Sequence, residues 1–173
     1  MIELLRKRRS IRTFTPEKVA PETIELLIEA LLRAPSSRGN TPWEFVVVED
    51  EELLFGLSRA KEHGSEFLKN APLAIVVCAD STRSDVWIED CAIASTLVQL
   101  AAQSVGLGSC WVQIRNRRHD AGRSAEEYLR GLLRLPEQMN VAAIIGIGHP
   151  GETRAFVPAE DLRYERVRRN RYA

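Results

Sequence analysis

Cysteine and histidine are scarce, three of each in 173 residues, and their placement excludes most metal chemistry. Cys78, Cys91 and Cys110 stand in apolar or small-residue surroundings without a CxxC pair or a His-rich tract, so no ligand set with zinc spacing can be written. An odd number of such cysteines reads as buried free thiols in a reducing compartment. No run of 18 apolar residues occurs, and Met1 to Arg9 lacks the apolar stretch of a signal peptide; a soluble cytoplasmic protein is expected, with no membrane partner. The formal net charge is zero, which withdraws bulk electrostatic support for nucleic acid or acidic partners. A Ser-His-Asp set, a paired-carboxylate arrangement and a Gly-x-Gly-x-x-Gly fingerprint are missing too. His63 and His119 have no supporting constellation. There is no repeat, low-complexity tract or interdomain linker.

What is present reads as alternating helices and apolar strands. Residues 2 to 9 form a short amphipathic helix, and Pro21 opens a helix over 22 to 34 whose stripe is Ile24, Leu27, Ile28, Leu31 and Leu32. Phe45 to Val48 is β-branched and short, which predicts a buried strand. Two brief helices fill 51 to 70. Leu73 to Ala79 lacks alternation, so it needs cover on both faces. The longest helix, from Ser84 to Val105, is small and apolar around much of its circumference and should be nearly enclosed. Gly106 and Gly108 stop it. Ser109 to Ile114 is a third strand, 124 to 133 an amphipathic helix, and Val141 to Ile147 the last core strand. From Gly148 to Ala173 the chain turns polar and Arg-rich, anchored by Phe156, Val157, Leu162, Tyr164, Val167 and Tyr172.

Two segments carry the chemistry. Arg8-Arg9-Ser10-Ile11-Arg12 gathers guanidinium groups and a hydroxyl on the last turns of the first helix, with Arg8 and Arg12 on one face at i,i+4 spacing. Guanidinium forks donate bidentately to phosphate oxygens, so the cluster suits a phosphate. Pro35-Ser36-Ser37-Arg38-Gly39-Asn40-Thr41-Pro42-Trp43 sets small hydroxyl and amide groups on a loop that enters an apolar strand. Together they point to a phosphorylated heterocycle.

This pairing resembles the FMN-dependent nitroreductases, and the likeness extends along nearly the whole chain. Met1 to Phe14 resembles the family's opening helix and its Arg-Arg-Ser-x-Arg signature; Ala34 to Val48 is similar to its Pro-Ser-Ser loop running into Pro-Trp-x-Phe. Gly106 to Val112 and Ile145 to Pro150 resemble its two later flavin-side strands. The resemblance implies an α+β fold, a three-layer α/β/α sandwich with a mixed, mainly antiparallel sheet. It implies one domain over 1–173 and a homodimer, with 148–173 clasping the partner subunit and extending its sheet.

It also implies a site between subunits. Arg8, Arg9, Ser10 and Arg12 match the family's phosphate and pyrimidine contacts, Arg12 lying where a cation stabilises the negative charge that two-electron reduction leaves on the flavin edge. Pro35, Ser36, Ser37 and Arg38 match the loop given by the other subunit. The commoner pattern has Asn at the position of Gly39 and Gln at that of Thr41; here Asn40 takes the amide role one position later. Trp111, Val112 and Gln113 align with the strand end that passes the flavin's N5 side. Gly148 and His149 come near the closure on the phosphate, with Arg154 as a second phosphate cation. The implied activity is ping-pong transfer of hydride from NADH or NADPH through FMN to a small electron-poor acceptor such as a nitroaromatic or a quinone. The alternatives are specialised flavin chemistry on the same fold (dehalogenation, flavin fragmentation, biosynthetic dehydrogenation) and a flavin-binding module without turnover.

Overall fold

The structure, a computed structural model, describes residues 1–172; Ala173 lies outside the described residues. Four strands, β1 (Trp43–Val48), β2 (Leu73–Asp80), β3 (Gly108–Gln113) and β4 (Met139–Gly148), form one sheet in the order β1-β2-β4-β3. Five α-helices, α1 (Ile2–Lys7), α2 (Pro21–Leu32), α3 (Glu51–Ser58), α4 (Trp87–Ser104) and α5 (Ala125–Leu133), flank it, with a 3-10 turn at Glu66–Asn70.

Both central strands are covered on both faces. Along β2, Leu73, Ile75, Val77 and Ala79 enter a core with α2 and α4, while Ala74, Val76 and Cys78 enter a second core with α3 and α5. That is the period-two alternation of a strand in which both sets of side chains are apolar. Leu27, Leu31, Leu57 and Leu129 are fully buried helix contributions to the two cores, each worth about 1.5–3 kcal/mol of transfer free energy. A bulge sits where Val77 faces Ala143 but Cys78 faces Val141. The unpaired Ala142 turns its carbonyl toward the amides of Ile114 and Arg115 at 3.3 and 3.2 Å, so the irregularity fixes the exit of β3.

Two expectations are corrected. All three strand ladders are antiparallel, so among the described residues the sheet is not mixed and parallel pairing is confined to an isolated bridge between Ser10 and Ser109. β1 is not a buried strand: Glu44 is exposed and Phe45, Val46 and Val47 are half-buried, because β1 is an edge with no neighbour on its outer side among the described residues. α4 buries Cys91, Ala94, Ser95, Val98 and Ala102 yet leaves Ile93 exposed. Gly106, at φ +81°, takes the left-handed position that closes it, and the Leu107 amide returns to the Ala102 carbonyl at 2.9 Å.

Candidate functional site

α1 ends at Lys7, and Arg8 is already extended (φ −63°, ψ 128°). The expected i,i+4 helical face for Arg8 and Arg12 is therefore wrong. A six-residue helix with no buried residue is a weak competitor, and the chain gains more by lying along the free edge of β3. There Ser10 bridges Ser109, the Ile11 amide donates to the Ser109 carbonyl at 3.0 Å, and Ile11 is buried beside Phe14. Gly108 permits this approach, since a Cβ there would stand 2.9 Å from the Ile11 Cβ. In an extended segment alternate residues share a side, so Arg8, Ser10 and Arg12 still come together, with Arg9 on the side of Ile11.

Their convergence registers on one thiol. Burial pushes the Cys110 pKa up, while the Arg12 guanidinium, the Ser10 hydroxyl, the Arg8 guanidinium and the Lys61 ammonium each hold it down. Lys61 is a member that the sequence did not disclose; Lys61-Glu62-His63 carries only the signal of a solvated loop. Its own pKa is lowered, first by burial, then by Arg117, with Arg12 also contributing. Among the described residues none of Arg8, Arg9 and Arg12 forms an ion pair with a carboxylate. Converging guanidinium groups that no carboxylate pairs directly favour an anion.

Gly148 to Arg154 packs onto this segment. Phe14 and Pro150 form an antiparallel bridge, the Thr15 amide donates to the His149 carbonyl at 2.9 Å, and the Gly151 amide donates to the Thr13 carbonyl at 2.8 Å. Gly148 has no room for a side chain: a Cβ would meet Pro72 Cδ at 2.5 Å. Glu152 accepts from the Arg12 and Thr13 amides at 2.6 and 3.1 Å, and the Arg12 amide is the main cause holding its carboxyl below the usual range, with Arg154 adding to it. Arg154 pairs with Glu152 at 2.8 Å, and His149 Nε2 lies 3.7 Å from Glu17. A cleft of about 600 Å³ lined by residues 12–16 shares Arg12 with the cation cluster but includes none of residues 35–40.

On β3 the backbone alternates between the β4 side and the free edge. The Ser109 carbonyl faces the edge, so Trp111 and Gln113 present their backbone there as well. Val112 instead faces β4 and buries its side chain in the second core. The Gln113 amide group accepts from Trp111 Nε1 at 3.0 Å and donates to the Arg115 carbonyl at 3.0 Å, which orients the half-buried indole.

The loop from Pro35 to Pro42 lies elsewhere. It enters β1 at Trp43, opposite Ala79, whereas Ser109 is level with Ile147 and Leu73. Trp43 and Ser109 are thus six residue steps and three strand spacings apart, roughly 25 Å across the sheet diagonal. Arg38 (φ 54°), Gly39 (φ 69°) and Thr41 (φ 41°) take left-handed conformations. The Thr41 amide donates to Ser36 Oγ at 2.8 Å, the Ser37 amide to Asp90 Oδ1 at 2.9 Å, and Arg83 to the Asn40 carbonyl at 3.2 Å.

Cys78, Cys91 and Cys110 are free and buried. Among the described residues no cluster of three or more His, Cys, Asp or Glu could hold a metal, and no helix is long and apolar enough to cross a membrane.

The sequence profile of the nitroreductase family matches residues 5–63 and 54–149. The structure of an FMN-dependent nitroreductase from Clostridium difficile superposes with a TM-score of 0.98 at 46% identity, covering 99% of this chain and 100% of the other. A protein of Archaeoglobus fulgidus, named as a candidate NADH dehydrogenase/NAD(P)H nitroreductase, is 35% identical over 99% of this chain and 98% of its own. The NADPH:FMN oxidoreductase of Vibrio harveyi, solved with NAD+, matches with a TM-score of 0.79 at 27% identity over 99% of this chain and 77% of the other. With the family profile spanning most of the chain and relatives alike from end to end, this protein belongs to the nitroreductase family.

Proposed function

We propose that the chain is an FMN-dependent NAD(P)H oxidoreductase that works as a homodimer, each flavin held by residues 8–12 of one copy and residues 35–40 of the other. The observation that carries this reading is the pair of guanidinium groups, Arg8 and Arg12, that converge beside Ser10 without an ion-pair partner among the described residues, with Lys61 nearby, set at the diagonal corner from the serine loop. One chain cannot bring the two together on a ligand of flavin size; two copies can. Support comes from relatives of the same length, one of them an FMN-dependent nitroreductase.

The residues present fit FMN. Arg8 and Ser10, with Arg9, Gly148, His149 and Arg154 nearby, would take the phosphate and ribityl end. Arg12, with Lys61, would face the pyrimidine edge. The free edge of β3 at Trp111 and Gln113, with Val112 between them, would border N5 through backbone groups. Pro35, Ser36, Ser37, Arg38 and Asn40 of the second copy would complete the ring pocket. When bound, FMN supplies two-electron exchange between NADH or NADPH and a second substrate. The protein contributes fixed positive charge where negative charge develops, worth more in a partly buried site than in water. No protein nucleophile is required. The acceptors are electron-poor rings, nitroaromatics and quinones among them.

The described tail, from residue 155 onward, supports the dimer. Phe156, Val157, Leu162, Tyr164 and Val167 are all exposed, and β1 leaves a sheet edge unpaired. The tail clasps the second copy and lays backbone along such an edge. In this reading residues 1–173 are one FMN-binding domain; of the expected tail 148–173, residues 148–154 pack on their own chain and the remainder clasps the partner.

The test is anaerobic mixing of the yellow protein with NADH or NADPH, together with its mass in solution. Rapid bleaching of a dimer with one flavin per chain is expected. A colourless monomer that takes up no added FMN overturns the proposal.

A further inference from the structure

The loop of residues 36–41 holds three residues in left-handed backbone conformations, and such a segment keeps one shape only where its surroundings over-determine it. Most of its restraints are local or exposed: Thr41 to Ser36, Gly39 to Ser36, Asn40 to Ser37 and the exposed Arg83 on the Asn40 carbonyl. One restraint differs in kind. Asp90, in the first turn of α4 and only 2% exposed, reaches across 53 residues of sequence to accept the Ser37 amide at 2.9 Å. Its second oxygen accepts Ser84 Oγ at 3.2 Å, and Ser84 is itself buried.

Burying a carboxylate is costly unless each oxygen is satisfied. Asp90 has no cation within ion-pair distance among the described residues. Its place next to the positive N-terminus of an 18-residue helix supplies compensation. An apolar residue in its place would leave the Ser37 amide without this acceptor, so the aspartate serves the loop.

We propose that Asp90 is the positioning residue of this loop: acting through the Ser37 amide, it fixes Ser36, Arg38 and Asn40 in the orientation that meets a flavin held by the other copy. The inference rests on the functional reading above. It assigns to Asp90 an effect on the partner's site, with none on the cation cluster of its own chain.

The experiment compares Asp90→Ala, Asp90→Asn and the parent by FMN titration of apoprotein, circular dichroism of the bound flavin, and mass in solution. Asp90→Ala should keep the dimer and bind FMN about tenfold or more weakly, with an altered flavin dichroism band. Asp90→Asn, which retains an acceptor oxygen for Ser37 and can donate to Ser84, should recover binding to within about threefold of the parent. If Asp90→Ala fails to fold, Asp90→Ser, too short to reach Ser37 yet able to meet Ser84, takes its place. Dimers mixing one Asp90→Ala chain with one Arg12→Ala chain then locate the effect. They should carry one tight flavin per dimer, because one site receives both defects and the other receives neither. Two equally weakened sites per mixed dimer, or Asp90→Ala binding like the parent, overturn the inference while leaving flavin binding intact. Failure of the parent itself to bind FMN overturns the underlying reading instead.

Discussion

Residues 8–12 and residues 35–42 make an instructive pair, because each is short and polar and each is held by a different kind of force. The first is laid along a strand edge by backbone pairing and by the buried Ile11, leaving its guanidinium groups without carboxylate partners. The second has no strand to lean on and takes its shape from side-chain restraints, Asp90 first among them. A cationic segment can be presented by an extended backbone, since long side chains reach the ligand. A loop that offers short hydroxyl and amide groups must place its backbone correctly, so it needs a rigid anchor.

The greatest disturbance should come from removing what joins the two regions across copies. A chain ended after Arg154 is expected to lose its dimeric mass and its flavin together, read by light scattering and visible absorbance; an unchanged yellow dimer would separate the tail from the site. Next, Arg8→Ala or Arg12→Ala should weaken FMN by about 1.5–3 kcal/mol, the worth of one charge-assisted contact, with little change in melting temperature. Gly108→Ala should act on the first region alone: the new methyl meets Ile11 and pushes residues 8–12 off the β3 edge, at a cost of about 1–3 kcal/mol in stability, measured by denaturant unfolding.

A smaller effect is expected from pH. The Glu152 carboxyl titrates below its ordinary value of 4.5 in the folded chain because the Arg12 amide and Arg154 favour its charged form. A lowered folded pKa means that the stabilisation is complete above the unfolded value and is lost as pH falls through the folded one. The anchoring of 148–154 to residues 12–13 should therefore hold at neutral pH and fail only in acid, and Glu152→Gln should reproduce that loosening at pH 7, followed by amide exchange at Arg12 and Thr13. Smallest of all is the thiol signature. Burial pushes Cys78 and Cys91 up to about 12, whereas cations temper the rise at Cys110. Native protein should resist alkylation at neutral pH, with Cys110 the first of the three to react as the pH is raised.

Much of the architecture was legible in the chain itself. The unbroken apolar run of β2 announced a strand covered on both faces and that of β4 a core strand, Pro21 opens α2 as a first-turn proline should, and Gly106 closes α4. Where the reading failed, tertiary pairing overrode local periodicity. Arg8 to Arg12 has helical spacing on paper, but the free edge of β3 claims it; β1 is apolar enough for a core yet stands at the rim. Lys61 left no trace because a single lysine in a polar stretch looks the same whether it faces water or a cation cluster.

The sequence by itself determined the order of elements, the chemistry offered by residues 8–12 and 35–42, and the family to which the chain belongs, for these depend on residue types at close spacing. Tertiary structure decided that the two segments stand at opposite corners of the sheet, that Lys61 joins the first and that Asp90 anchors the second. Those relations join residues tens of positions apart, and packing around a shared core brings them into contact without any local pattern to mark them.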